Sequence, residues 1–455
     1  MTLMETLPPM LEETSPSVDL KAALLARVLE LFDRDGLPYC ILHGYDNYPD
    51  RVDSDVDLLV PSEAVPRRLG ELLRNAERQL GARIVQWFAD RAQFIVLCAT
   101  GDDGVPVMLQ LHVSCDYEVS DRLIYSGNDV LRTRRRHERD FWVPAANVEF
   151  VCVLINRIVK GKLESHHTEQ LSKLWMQNRE QCAHEMFRFF NAGAARMIAD
   201  AAEANDWGMV QDRMRELRKE FLRLSVMRQP TSYATRVLGS QGRRVVRWLK
   251  PQSGLHVVFL GPDGVGKSTT IEAVRERVAD AFLCVKYQTF ASSILPNKPK
   301  ASPHALPPRS KFASFLKAGW WELCYTLGYL KSVHPTRCRG GLAINHRYLI
   351  DAIVDPKRYR YSGPQELLWA IWATAFKPDL LIFLDAPADV IQARKQETTP
   401  EETARQVEAY RAMAGRLPNA KLVDTSVNRE ETVQRVTEII LGTMANRIAR
   451  RLKSR

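Results

Sequence analysis

The sequence predicts a mixed α/β chain in three parts: a small α+β sheet, a helical middle, and a C-terminal half of alternating strands and helices. Short apolar runs with strand-like composition fill the chain up to about residue 115. From Asn147 the spacing of apolar residues turns helical. After Pro251, five strand-like runs alternate with helical ones, the order that builds a parallel sheet covered on both faces.

Residues 19–35 have helical periodicity, and CILHG (40–44) is a short strand run closed by Gly44. DVDLLV (55–60) is a β-rich run that opens on two carboxylates, and FIVLC (94–98) and VPVMLQLHV (105–113) supply further strands. These form a first unit, 1–145. A helical unit, 146–250, begins with VEFVCVLINRIVKGKL and runs to Arg228, where Pro230 ends the helical stretch. Its last part, residues 231–251, carries Arg236, Arg243, Arg244, Arg247 and Lys250 and no acid. It reads as a solvated basic helix bridging two units; a peripheral membrane or polyanion contact through 236–250 is the alternative. The third unit, 251–455, holds the strands HVVFL, FLCVKY, GLAINH, DLLIFLD and KLVD, hence a five-stranded parallel sheet. Helices are expected from Lys267, around 311–332, near 365–376 and at the C-terminus. Between Ala291 and Lys311, Pro296, Pro299, Pro303, Pro307 and Pro308 exclude a helix or central strand and imply a loop able to cover a substrate.

The bulk properties bound the function. At 455 residues the chain is long for one core, and 45% apolar with 26% charged residues describes a globular protein. A formal charge of +10 and a pI near 9.2 favour acidic partners. No RNA-recognition or zinc-finger signature accompanies that charge, which ranks small phosphorylated molecules above nucleic acid. The eight cysteines include no CxxC pair, which argues against a disulfide framework or structural zinc and suits a reducing cytosol. The N-terminus, MTLMETLPPMLEETSP, lacks the basic and apolar regions of a secretion signal. No run reaches about 18 apolar residues; the closest, Phe312 to Leu330, contains Lys317 and Glu322 and reads as a buried or amphipathic helix. A cytoplasmic protein is expected, and a homodimer is compatible with it.

GPDGVGKST (261–269) matches G-x-x-x-x-G-K-[ST] through Gly261, Gly266, Lys267 and Ser268. A strand precedes it and a helix follows, as a polyphosphate loop requires. Glycines let successive amides, from Gly264 and Val265 onward, face one point, and the helix N-terminus adds its positive dipole end. Lys267 would neutralise β/γ-phosphate charge, the Ser268 hydroxyl would bind Mg²⁺, and Thr269 would support the α-phosphate. ATP and Mg²⁺ are therefore the expected ligands.

Beyond the generic motif, GPDGVGKST resembles the phosphate loop of thymidylate kinase-like proteins, in which the Asp of the loop, here Asp263, lies near the phosphoryl acceptor. INHRYLIDAIVDPKRYRY (344–361) resembles that family's Asp-Arg-Tyr segment, DLLIFLDAPADVIQARKQE (379–397) its fourth strand and basic lid, and KLVDTSVNREETV (421–433) its last strand and helix. The match covers about 255–450. It implies a P-loop NTPase fold, an acceptor phosphate gripped by Arg347, and cations of Arg394 and Lys395 over the transferring group. Asp385 reads as the end of a core strand. Arg358 and Arg360 read equally as acceptor contacts or as a solvated loop. His346 stands where the family has Asp. Either Asp263 carries the acceptor-side role alone, or the acceptor is not a nucleoside monophosphate, or transfer is weak, or His346 merely packs at a strand end with Asp351 one helical turn on.

In ILHGYDNYPDRVDSDVDLLV, a strand, a Gly44 turn and a polar loop lead into Asp55 and Asp57, which alternation places on one face, able to ligate one or two Mg²⁺ ions. This resembles the polymerase-β-type nucleotidyltransferase superfamily, specifically its small bacterial members, with Lys160 and Lys162 of the helical part able to meet phosphates. That superfamily needs a third carboxylate on a later strand. His112 stands at the expected position in VMLQLHVSCDYE, with Asp116 four residues on. An active transferase and a nucleotide- or sugar-phosphate-binding remnant both remain open.

The expected function is an ATP- and Mg²⁺-dependent kinase acting on a nucleoside monophosphate or another small phosphorylated acceptor, such as a sugar phosphate, fused to a nucleotidyltransferase-like unit. Two alternatives stand beside it: an ATP-binding regulator with decayed catalysis, or nucleotidyl transfer as the main activity. Envelope polysaccharide metabolism would suit the pairing by analogy.

Overall fold

The computed structural model describes residues 19–65, 67–251, 253–289, 307–396 and 398–453. The expectations for residues 1–18 and for the proline-rich stretch through 306 lie outside the described residues.

The first sheet has five strands, β1 (Cys40–His43), β2 (Val56–Leu59), β3 (Ala82–Ala89), β4 (Gln93–Thr100) and β5 (Pro106–Ser114), in the order β1-β2-β5-β4-β3. Only β2 and β5 run parallel; the other neighbours are antiparallel. The helix Leu20–Arg34 covers one face with Leu24, Leu25, Val28 and Phe32, and Asp19 caps it by accepting from the Lys21 amide at 2.9 Å. Two small hairpins follow, β6 (Tyr117–Val119) with β7 (Arg122–Tyr125) and β8 (Arg135–Arg136) with β9 (Trp142–Val143).

The helical middle shares one core around Phe150, Trp175, Phe190 and Phe221. Its first helix, Ala146–Lys160, stops at Gly161, which takes the left-handed φ of 72° that a helix C-cap favours. Pro230 ends one helix, Met214–Arg228, and opens the next, Pro230–Leu249, where its missing N–H costs nothing. This basic helix buries only Ser240.

The C-terminal sheet consists of β10 (Leu255–Leu260), β11 (Val285–Thr289), β12 (Leu342–His346), β13 (Leu380–Asp385) and β14 (Ala420–Asp424). Its order is β11-β12-β10-β13-β14, and every pairing is parallel, as the strand–helix alternation predicted. β10 lies at the centre and is buried along its whole length, because helices cover both faces. Lys267–Val278 and Arg429–Lys453 pack on one face against Val257, Phe259 and Ile382; Lys311–Gly328, Leu349–Val354 and Pro400–Arg416 pack on the other, against Val258, Leu260 and Phe383.

The two sheets share a core. Val85, Phe94, Val96 and Met108 of the first sheet join the same apolar cluster as Ile440, Leu441 and Met444 of the C-terminal helix, whose Ile448 reaches the first sheet's other cluster. Each such fully buried side chain stabilises by about 1.5–3 kcal/mol. Gln86, wholly buried in β3, donates from Nε2 to the Gly340 carbonyl at 3.1 Å, so a polar bond also ties the halves. Among the described residues no helix is long and apolar enough to cross a membrane.

Candidate functional site

The loop Gly261–Gly266 leaves β10 at the centre of the parallel sheet and turns into the helix Lys267–Val278. Gly261 (φ 143°) passes so close to β13 that a Cβ there would sit 2.5 Å from the Leu384 carbonyl oxygen. Gly264 and Gly266 also take positive φ, 88° and 96°, while Val265 between them is buried in the core and anchors the loop. The first backbone bond of the helix is Thr270 N to Gly266 O, at 3.0 Å. The amides of Lys267, Ser268 and Thr269 therefore have no acceptor within the helix, and they add to the positive end of its dipole. The Ser268 and Thr269 side chains are exposed. This donor set fits an anionic polyphosphate, with the Ser268 hydroxyl open to a metal.

Lys267 is buried and curls back over the loop, donating from Nζ to Gly261 O at 2.8 Å and Pro262 O at 2.7 Å, with Asp263 Oδ1 3.5 Å away. Asp263 is the hub of the site: Arg347 bonds its Oδ1 and Arg358 its Oδ2. Both guanidiniums and the carboxylate are largely buried, with side-chain exposures of 18%, 20% and 14%. Arg347 directly follows β12 and holds a φ of 75°, left-handed backbone that costs a non-glycine residue of order 1 kcal/mol; its amide bonds the Phe259 carbonyl of β10 at 3.1 Å. The sheet thus fixes a strained arginine where it can grip the loop aspartate.

His346, at the end of β12, is held neutral. Burial, with Lys267 and Arg347 close by, lowers its pKa to about 3. Its Nδ1 lies 3.3 Å from the Tyr287 hydroxyl and its Nε2 has no hydrogen-bond partner. Asp351 does not replace the absent carboxylate. It accepts from Tyr410 Oη at 2.6 Å and from the Tyr348 amide at 2.7 Å, and burial raises its pKa.

Arg394 lies at the rim on the helix Ala388–Arg394, where its guanidinium donates to the Thr425 carbonyl at 2.7 Å. Thr425 in turn donates to the carbonyls of Val265 and Asp385, each at 3.0 Å, so the arginine braces the loop through β14. Asp385 accepts from Arg411 Nε and ends its strand, as its position predicted. Arg360 donates from Nε to the Pro307 carbonyl at 2.8 Å. Thr425 escaped the sequence reading because its contacts bridge 160 residues and no local pattern marks it.

A second polar cavity, about 320 Å³, opens at the edge of the first sheet. Gly44 (φ 82°) lets β1 pass within 2.9 Å, from its would-be Cβ, of the Asp55 carbonyl. Asp55 and Asp57 line the cavity together, opposite Arg157, Lys160 and His167 of the helical middle. The parallel register of β2 and β5 sets His112 beside Asp57, and its Nδ1 lies 3.3 Å from Asp55 and 3.7 Å from Asp57. Bonding to Asp57, aided by the charge of both aspartates and opposed by burial, raises the His112 pKa. Two carboxylates and an imidazole fit a hard Mg²⁺ ion less well than three carboxylates do. Asp116 is engaged elsewhere, accepting from the Gly127 amide and from Arg236. Lys162 pairs with Glu164 and does not line the cavity. The sequence reading missed Glu164, His166 and His167, whose potential ligand atoms lie within 4.8 Å of one another. Much of that set is spent locally, since Glu164 and His167 cap the helix Ser165–Gln177 reciprocally.

A scan against protein-family models finds no match for this chain.

Proposed function

We propose that the C-terminal half, 251–455, is a P-loop NTPase fold that binds ATP with Mg²⁺ and transfers its γ-phosphoryl group to a nucleoside monophosphate or another small phosphorylated acceptor. The observation that carries this reading is the loop Gly261–Thr269 with Lys267, Arg347 and Arg358 converging on Asp263 at its mouth. Three cations around one carboxylate form a site suited to an anion at least as highly charged.

In this reading Mg²⁺ and ATP supply the transferable group and neutralise its charge. The amides of Gly264 through Thr269 and the Lys267 ammonium hold the phosphates, and the Ser268 hydroxyl is the protein's metal ligand. Asp263, Arg347 and Arg358 orient the acceptor from the β12 side. Arg394 leaves Thr425 to approach the transferring group. The first 145 residues form a nucleotidyltransferase-like unit, with Asp55 and Asp57 as its cation ligands, joined through the helical 146–250. A cytoplasmic setting in envelope polysaccharide metabolism suits both units.

A second reading, an ATP-binding regulator with decayed catalysis, is favoured by one specific pairing. Histidines, His346 and His112, stand where the resemblance expects carboxylates, and Asp351 and Asp116, the carboxylates that follow them in sequence, are bonded elsewhere. Incubation with γ-labelled ATP and a panel of nucleotides and sugar phosphates separates the two: a labelled acceptor supports the kinase, and ATP binding without one supports the regulator. If nucleotidyl transfer is the main activity, Asp55→Ala abolishes it while Lys267→Ala leaves it intact. Failure of the full chain to bind ATP in magnesium buffer removes the first two readings together.

A further inference from the structure

The helix Lys311–Gly328, with the turn Tyr329–Val333 that extends it, wears its hydrophobicity on the outside. Small side chains, among them Ser314, Ala318, Cys324 and Gly328, face the core beside the rings of Trp321, Tyr325 and Tyr329. Outward point Phe312, Phe315, Leu316 and Trp320, continued by Leu323, Leu327 and Leu330, each between 45% and 73% exposed. The other residues exposed on this stretch are Lys311, Gly319 and Lys331. No atom lies within 4 Å of a Cβ built at Gly319, in the middle of the face, so no described part of the chain covers it there. At about 1.5 Å per residue the stripe runs for roughly 27 Å. Monomeric proteins seldom expose so continuous an apolar surface without a use for it.

The stripe joins a second surface of like character. Trp248, near the end of the basic helix Pro230–Leu249, sets its ring 5.3 Å from that of His334, and its carbonyl lies 2.8 Å from His334 Nε2. Val245, Val246, Trp248 and Leu249 are themselves 57–65% exposed, and Arg243, Arg244 and Lys250 are exposed among them.

We propose that these two helices form one docking face that lies flat on an anionic membrane surface. The apolar side chains enter the acyl boundary, while Lys311, Lys331 and the cations of the basic helix meet the headgroups. Charge decides among occupants. The fully exposed residues of the face include lysines at both ends and no acid, and Glu322, the one carboxylate of the helix, is half-buried, so a second copy packed along the face sets lysine against lysine in either direction. A nucleic acid offers nothing to the leucine stripe, and the helix is too short of apolar residues to span. An anionic lipid surface answers both the apolar face and its charged ends. This proposal does not rest on the phosphotransfer reading, and either can fail without the other.

The test is co-sedimentation of the full chain with vesicles of phosphatidylglycerol and phosphatidylcholine in equal parts, set against phosphatidylcholine alone. The expected result is retention on the anionic vesicles, weakened by added salt and accompanied by a blue shift of tryptophan emission. Trp320→Glu and Leu323→Glu each lower retention about tenfold or more, and Lys331→Ala lowers it roughly fivefold. Leu327→Gln serves in their place should an acidic variant unfold, with the urea midpoint as the check. ATP binding in the variants stays at the starting level. Absence of retention overturns the proposal, as does retention on neutral vesicles that Leu323→Glu does not reduce. Concentration-dependent dimers that Trp320→Glu dissolves, with no vesicle binding, assign the face to a second copy instead.

Discussion

Asp263→Asn tests whether the loop carboxylate stands in the place of a phosphate. In the ligand-free chain it is held by Arg347, Arg358 and Lys267, all largely buried. Asparagine keeps the shape and one acceptor oxygen but loses the charge, leaving three cations facing one another. Breaking a buried pair by removing one partner costs roughly 3–5 kcal/mol. The amide still accepts a bond and the site is not sealed from water, so about 3 kcal/mol, the lower end, is expected. Bound triphosphate supplies the missing negative charge, and a ligand at a hundred times its Kd stabilises by about 2.7 kcal/mol. ATP should therefore raise the melting temperature of the variant more than that of the unaltered protein, although the variant starts lower. Thermal unfolding with and without Mg²⁺ and ATP, paired with calorimetric titration, measures both quantities. A smaller ATP-induced gain in the variant, together with weaker binding, would refute the stand-in argument and make Asp263 a structural anchor. Absence of any gain in the unaltered protein would refute the nucleotide site itself.

Gly261→Ala, which puts a Cβ 2.5 Å from the Leu384 oxygen at a φ of 143°, should lower the urea unfolding free energy by about 1–3 kcal/mol, whereas Gly415→Ala, in open space on a helix, should be neutral or slightly stabilising. His256 is buried with Nε2 3.0 Å from Asn345 Oδ1, and burial lowers its pKa to about 4. Between about pH 6.5 and 4 the unfolded chain binds a proton there that the folded chain refuses, so stability falls as pH falls. His256→Gln should reduce that slope by up to about 1.4 kcal/mol per pH unit, as denaturant titrations at several pH values would show. His112→Asp places a third carboxylate beside Asp55 and Asp57; it should destabilise the metal-free chain and tighten Mg²⁺ binding about tenfold or more by calorimetry. Unchanged Mg²⁺ affinity would remove the metal reading of that cavity.

Strands whose two faces are both covered were the easiest to read, because β10, β12 and β13 are predominantly apolar runs, broken only by His256 in β10 and by polar residues at the ends of β12 and β13. β3 went unread. Its Gln86 interrupts the run, and that buried amide makes sense only once Gly340, 254 residues on, is seen to accept its hydrogen bond. The glycine loop 261–266 was legible because its positive-φ backbone demands glycine at fixed spacing. The convergence of Arg358 on Asp263 was not, since it depends on how a loop 95 residues later folds back over the mouth. The resemblance set His112 on a later strand where a third carboxylate was expected, and the register of β2 against β5 does bring it beside Asp57. Where Arg394 points was beyond reach of the sequence: helical spacing gave its element, and only packing against β14 turns its guanidinium to Thr425. The outward apolar stripe of Lys311–Gly328 illustrates the same limit, because periodicity finds an amphipathic helix without saying which side faces the core.

The C-terminal helix, wedged between the two sheets, has a consequence for how the chain is made. During synthesis the first sheet leaves the ribosome with Val85, Phe94 and Val96 uncovered, and their partners Ile440, Leu441 and Met444 follow only about 340 residues later. A nascent chain halted before residue 429 would carry a sticky, unfinished surface on its earliest-made part. Chaperone dependence should accordingly persist until that helix is made, and products terminated before it should aggregate through a sheet that is itself intact in sequence.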